Sequence, residues 1–347
     1  MRLFLALLTA VAGANAPPAN TNADRATASY VAMQRAFYDP RSARYRETTE
    51  RTSISTLWPV SQALDASVAV AALPRVHVGP RTLLRRVLPP YRLQHGYRAT
   101  LSADGDLYYD DNVWVALDLL DWNALHRDPA AVRQALRLYG LVVAAWDDDA
   151  THPCPGGVFW TRARGVHDRN TVTTAGAALL GMRLYTVLHR PQLLRWSRRM
   201  TGWVDSCLAA PNGLYWDHIR ADGSIAQRQW SYNQGAMVGA NVLLAQATGD
   251  ASALAHAHQI ADVSLQEIPL AQEPPEFASI FFRNLLLLGG AVGDDRYRGA
   301  AQAYADAAWA SDRDPHTGLF RSKPGPARLL EQAALTQLYA LLARTGP

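Results

Sequence analysis

The sequence predicts an all-α protein built as an (α/α)6 barrel, a closed toroid of six helical hairpins, and three observations predict it. Strand signals are scarce, with no series of alternating Val/Ile/Thr segments joined by two-residue turns. Helical apolar periodicity recurs along nearly the whole chain. The helices also alternate in character: some are rich in small and apolar residues on every face, and the intervening ones set an apolar stripe against arginines. A helix apolar all round is buried, whereas an amphipathic one covers it from outside. Alternation along the chain therefore predicts an inner and an outer layer.

Periodicity and breakers place helices at about 24–38, 55–74, 110–127, 130–147, 170–189, 191–209, 231–248, 252–267, 277–291, 294–311 and 327–344. A weaker twelfth spans 81–88, ahead of the Pro89-Pro90 stop. The buried-type segments include Asn112 to Leu120, Thr173 to Leu184 (TTAGAALLGMRL), Gly235 to Leu244 and Ile280 to Val292, and the amphipathic ones include Ala130 to Trp146 and Pro191 to Leu208. Buried-type helices begin near 57, 112, 172, 232, 280 and 329. That loose repeat of about 45 to 60 residues is the signature of stacked hairpins. No Pro/Gly/Ser-rich linker divides the chain, so one domain from 17 to 347 is expected.

The N-terminus carries Arg2, an apolar stretch from Leu3 to Ala12 and the small-residue site Ala14-Asn15-Ala16. This pattern reads as a signal peptide over 1–16 and predicts a secreted protein, extracellular or periplasmic. The apolar stretch is well short of the roughly 20 residues a spanning helix needs, so no membrane span is expected. A hydrophobic fraction of 49% and a charged fraction of 18% fit a sizeable core. The net charge is +4 without any run of five basic residues, which argues against a nucleic-acid partner. The two cysteines, Cys154 and Cys207, cannot make a zinc site alone, and in an oxidising compartment they can pair as one disulfide. A monomer is expected.

In a ring of hairpins the inner-helix starts converge on one mouth, and polar clusters recur there: Asp110-Asp111-Asn112, Arg169-Asn170, Tyr232-Asn233-Gln234, Arg283-Asn284 and Glu331-Gln332. The adjacent aspartates stand out because they lie in YYDDNVW (108–114), among aromatics. One of them can serve as an ordinary helix cap and complement the helix dipole. Two neighbouring charges walled by aromatic rings are costlier to keep. Two carboxyls roughly 5 Å apart suit a retaining glycosidase, one attacking and the other acting as acid and then base. Repulsion would leave one ionised and one protonated, although spacing permits either order.

The surroundings suit a sugar. Trp58, Trp114, Trp160, Trp216 and Trp230 fall near helix starts and loops, where flat rings can stack on pyranoses, and Asn170, Asn233, Gln234 and Asp217 can partner hydroxyls. Tyr109, Asn112 and Tyr232 complete the expected substrate-binding set. No cofactor or metal is expected. Asp147-Asp148-Asp149 reads as a solvated loop, and the Asp312–Gly318 stretch lacks a calcium loop's closing glutamate, having Lys323 instead. There is no paired-histidine metal spacing, phosphate loop or serine elbow. A terpene synthase would need a third aspartate where Trp114 stands.

Six fragments then resemble, in order, the motifs of glycoside hydrolase family 76: YYDDNVWVALDLL (108–120), GGVFWTR with RNTVTTAGAALLGMRLY (156–162, 169–185), GLYWDHI (213–219), WSYNQGAMVGANVLLAQATGD (230–250), FASIFFRNLLLL (277–288) and LLEQAALTQLYALLA (329–343). That family comprises secreted endo-α-1,6-mannanases and related mannosidase-transglycosidases. The resemblance implies an (α/α)6 barrel, a retaining mechanism and an α-mannan substrate. It makes Asp110 the nucleophile and Asp111 the general acid/base, with sugar contact for Tyr232, Asn233 and Gln234. Two stretches depart from the pattern, AQEPPEFAS (271–279) and the basic, proline-rich 76–107. A transglycosidase on the same site and a non-catalytic carbohydrate-binding barrel are the other readings the residues allow.

Overall fold

The structure, a computed structural model, describes residues 21–50, 52–73 and 80–344. The expected signal peptide lies outside the described residues. Twelve α-helices are present among them, in two layers. The inner helices are α2 (Leu57–Ala71), α4 (Tyr109–His126), α6 (Thr171–Leu188), α8 (Ser231–Thr248), α10 (Pro275–Val292) and α12 (Leu329–Ala343). Each packs on the next, and α12 packs back on α2, so the ring closes. The outer helices α5 (Pro129–Val143), α7 (Pro191–Cys207), α9 (Ala251–Glu267) and α11 (Arg296–Ser311) cover α4, α6, α8 and α10. The first helix, α1 (Asn22–Phe37), covers the last, α12. The sixth outer place, beside α2, is held by the seven-residue α3 (Pro80–Arg86).

Local chemistry fixes the hairpins at the end opposite the mouth. Inner helices α4, α6, α8 and α10 each stop at a left-handed residue, Arg127, His189, Gly249 and Gly293, whose N–H bonds back to the last turn. The next outer helix starts two or three residues later: Asp128 caps α5 through the N–H groups of Ala130 and Ala131, and Asp250 caps α9 through Ser252. Small residues let inner helices approach closely. A Cβ added at Gly235 would lie 2.6 Å from Phe281 Cα, and one at Gly239 would meet Asn284 Oδ1 at 2.0 Å.

Strands among the described residues are short ribbons in loops. β1 (Tyr38–Asp39) pairs with β2 (Arg44–Tyr45), and β3 (Arg92–Leu93) with β4 (Gly96–Tyr97). β5 (Arg169–Asn170), β6 (His218–Ile219) and β7 (Ile225–Ala226) form a three-stranded antiparallel patch, with Asn170 opposite His218. Helix starts and ends fall close to the expected positions, with one larger departure: the helix expected over 130–147 ends at Val143. There the chain turns into a loop whose Asp147 is buried and ion-paired with fully buried Arg169 at 2.7 Å. Asp147 is therefore structural and not part of a solvated loop, whereas Asp148 and Asp149 are exposed. Cys154 and Cys207 are disulfide-bonded, tying this loop to the end of α7.

Arg283 also departs from expectation. It lies in the ninth position of α10, inside the ring, where it donates to both carboxylate oxygens of Asp65 at 2.8 and 2.7 Å and to Asp121 at 2.6 Å. Asp121 also pairs with Arg183. Nearby Asp118 is 2% exposed, and its Oδ2 has no hydrogen-bond partner among the described residues. Burial, followed by the charges of Asp65 and Asp121, raises its pKa well above the usual carboxylate range. The network joins α2, α4, α6 and α10 at roughly 12 Å below the mouth, taking 1.5 Å of rise per residue from Asp110 to Asp118.

Candidate active site

The loops at the mouth are held by side chains at the fourth position of inner helices. Asn112 of α4 accepts from Tyr97 N–H at 2.8 Å and donates to Tyr97 C=O at 2.9 Å. Gln234 of α8 grips Tyr215 in the same way, at 2.9 Å for both bonds, and Gln332 of α12 grips Phe320 at 2.9 and 2.8 Å. Thr174 of α6 accepts from Val158 N–H at 3.0 Å. A buried amide so placed satisfies a loop residue's donor and acceptor together. Asn112 and Gln234, expected to contact sugar, are 0% exposed and occupied by this task. Tyr109 and Trp114 are likewise buried in the hydrophobic core, which the packing of large aromatics explains.

What remains at the mouth is a compact polar set. Asp110 and Asp111 occupy the first turn of α4, half-buried. Asp110 accepts from the Trp160 indole N–H at 3.1 Å and from the Asp111 amide at 3.0 Å. Trp160 reaches it because its backbone is fixed at both sides: its C=O accepts from Tyr109 N–H at 2.9 Å and its N–H donates to Asp168 C=O at 2.8 Å. Tyr108 packs on the Trp160 ring, with centroids 4.9 Å apart. Burial pushes the Asp110 pKa up to about 6, against the lowering pull of the Trp160 and amide donors. Burial and then the neighbouring Asp110 charge lift Asp111 well above the ordinary range. The donors favour charge on Asp110, and among the described residues no hydrogen bond to the Asp111 carboxyl is present, so the geometry favours charge on Asp110 over Asp111.

On the α8 side, Asp217 accepts from Asn233 Nδ2 at 3.1 Å through Oδ1 and faces His218 Nδ1 at 2.9 Å through Oδ2. His218 Nε2 lies 3.8 Å from Asp168. Asp217 is close enough to act electrostatically on Asp110 and on Tyr232, whose hydroxyl pKa burial and these acids raise. Tyr232 stacks on Phe277 at 4.1 Å, Trp230 meets Phe277 edge-on at 5.2 Å, and Trp58 stacks beyond it at 5.9 Å. The Oδ1 atoms of Asn170 and Asn233 are buried without a hydrogen-bond partner among the described residues. Trp216 is partly exposed beside Asp217. Thus Asp110, Asp111, Trp160, Asp217, Tyr232 and Asn233 come together, whereas Tyr109, Asn112, Trp114 and Gln234 support them from behind. His218, Asp168 and Phe277 were not anticipated. Phe277 opens the FASIFFRN fragment and His218 follows Asp217, so both were adjacent to residues already singled out.

The sequence profile of glycosyl hydrolase family 76 matches residues 21–273. The chain belongs to that family. As a family 76 protein it shares its fold with solved structures at low identity. A family 76 glycoside hydrolase from a bovine Bacteroides thetaiotaomicron strain matches with a TM-score of 0.85 and 21% identity, over 93% of this chain and 78% of that one. The α-1,6-mannanase of Salegentibacter sp. HEL1_6 matches with a TM-score of 0.78 and 19% identity, over 93% and 99% of the two chains. An inactive variant of that mannanase, with two consecutive aspartates changed to asparagine and in complex with α-1,6-mannotriose, matches with a TM-score of 0.77, again at 19% identity and over 93% and 99%. No curated protein matches the chain in sequence. Helical barrels are the fold of these neighbours, in keeping with the (α/α)6 ring described above.

Proposed function

We propose that this family 76 protein is a secreted, single-domain, retaining endo-α-1,6-mannosidase acting on mannan-type polysaccharide. The observation that carries the reading is the Asp110–Asp111 pair at the mouth, with hydrogen-bond donors aimed, among the described residues, at Asp110 and not at Asp111. Asp110 attacks the anomeric carbon as the glycosidic C–O bond breaks, and Asp111 gives its proton to the departing oxygen. Water then attacks the mannosyl ester and loses its proton to Asp111, which frees Asp110. Trp160 steadies the nucleophile's charge. Asp217, Asn233 and Tyr232 offer acceptors and donors for sugar hydroxyls, and the Trp58–Phe277–Trp230 aromatics offer flat apolar faces. The mannotriose bound by the Salegentibacter variant, and the loss of activity when its consecutive aspartates are changed, support this assignment.

The test is incubation of the mature protein with linear α-1,6-mannan while NMR follows the product anomers. Initial release of α-anomers by the wild type, lost in Asp110→Asn and Asp111→Asn, is the expected outcome. Cleavage surviving in both variants, or initial release of β-anomers, would sink it.

A further inference from the structure

The outer wall formed by α5 and α7 is strongly basic. Arg133, Arg137, Arg195, Arg198 and Arg199 project from the two helices, and Arg190 stands at the N-cap position of α7 without a side-chain capping bond; all six are exposed. The helices contain one acid, Asp205, which is taken up by the Tyr215 hydroxyl at 2.6 Å, while Asp250 stands near Arg198. Between the helices runs a groove of about 690 Å³. Its floor is aliphatic and aromatic, with Leu136, Val143, Leu193 and Trp196, and Arg190 and Gln192 line its edge. Arg199 lies over both Trp146 and Trp196, 4.7 and 5.0 Å from the ring centroids, and with Arg195 it lines a smaller adjoining pocket that shares Gln192 and Trp196 with the groove.

Cations around an aliphatic floor match an amphiphilic anion better than a neutral sugar, whose hydroxyls need acceptors as well as donors. We propose that this wall docks the protein on an anionic lipid surface. Phosphate-bearing headgroups would meet Arg190, Arg195 and Arg199, and the glycerol and upper acyl region would meet the partly exposed Trp196 and Leu136. The site is on the outside of the barrel and does not depend on the catalytic reading. It would keep the enzyme at a surface where its glycan is displayed.

Full-length mature protein is sedimented with phosphatidylcholine vesicles with and without phosphatidylglycerol, in low and high salt. Binding to the anionic vesicles alone, weakened by salt, is expected. Arg195→Glu/Arg199→Glu should weaken it by about tenfold or more, and Trp196→Ala by a smaller factor. An equal charge change on α3, Arg85→Glu/Arg86→Glu, should leave most of the binding intact. Circular dichroism melts establish that each variant is folded, and Arg195→Gln/Arg199→Gln provides a milder variant, expected to weaken binding by a smaller factor, if the reversal unfolds the wall. Absence of binding to anionic vesicles at low salt overturns the proposal. So does equal weakening by the α3 pair, which would indicate net charge alone. Binding to soluble polyphosphate as tight as to vesicles, and indifferent to Trp196→Ala, would make the occupant an anionic polymer and refute the lipid surface.

Discussion

Asp110→Asn should abolish activity and stabilise the protein at once. The carboxyl is pushed by burial from an ordinary 3.8 up to about 6. A group whose folded pKa exceeds its unfolded one contributes stability that is complete below the unfolded value and is lost as pH rises through the folded one. At pH 7.5 the wild type therefore carries a cost of about 2–3 kcal/mol, from two units at roughly 1.4 kcal/mol each with a discount for partial exposure. Asparagine removes the charge and keeps one acceptor, for the Trp160 indole, while giving up the acceptor of the Asp111 amide, which sets the gain at the lower end of that range. For a chain of 347 residues, the unfolding entropy of about 0.7 kcal/mol per degree converts this to a Tm gain of about 3 °C. Differential scanning calorimetry from pH 3.5 to 8 measures it. The gain should shrink to nothing near pH 4, while mannan cleavage falls roughly 10³-fold or more at every pH. A Tm unchanged or lowered at pH 7.5, or a gain independent of pH, would refute the claim that the site charges a buried carboxylate at the protein's expense.

Trp160→Phe removes the donor that counteracts burial at Asp110, so the acid limb of the kcat/KM profile should move to higher pH, with activity down about 10- to 100-fold. Asp118→Asn should raise Tm relative to wild type by an amount that grows from pH 4 upward, because a raised carboxyl loses stability as pH rises; a pH-independent difference would count against it. Gly235→Ala places a methyl 2.6 Å from Phe281 Cα, where backbone cannot yield cheaply, and should cost about 1–3 kcal/mol in urea unfolding. Cys154→Ser/Cys207→Ser opens a loop with a sequence separation of 53 and should lower stability by about 2–4 kcal/mol, checked by the same titration.

Helix positions were legible because the ring demands a pattern that sequence displays directly: apolar residues on every face of inner helices and one stripe on outer ones. The site was legible only in part. Asn112 and Gln234 carry the same amide chemistry whether they face a sugar or a loop backbone, and nothing in a single residue distinguishes the two. The distinguishing signal was positional. Aligned on their helix starts, Asn112, Thr174, Gln234 and Gln332 all stand fourth, a regularity that belongs to architecture more than to a ligand. Arg283 was misplaced at the mouth because a motif fixes neighbours and not depth along a helix. Asp147 looked solvated because its partner, Arg169, lies on a different loop, and pairing across the chain leaves no mark on local composition.

The fourth-position anchors make the rim of the barrel modular. Each clamp holds one residue of a loop by its backbone, and a backbone grip is indifferent to the side chain gripped: tyrosine at 97 and 215, phenylalanine at 320, valine at 158. Loop segments between clamps are then free to lengthen, shorten or change residues without disturbing the ring beneath. A lineage could acquire a new glycan preference by recasting one span while the aspartates at the head of α4 keep their posture. That division of labour would let chains sharing about a fifth of their residues superpose over 93% of this one.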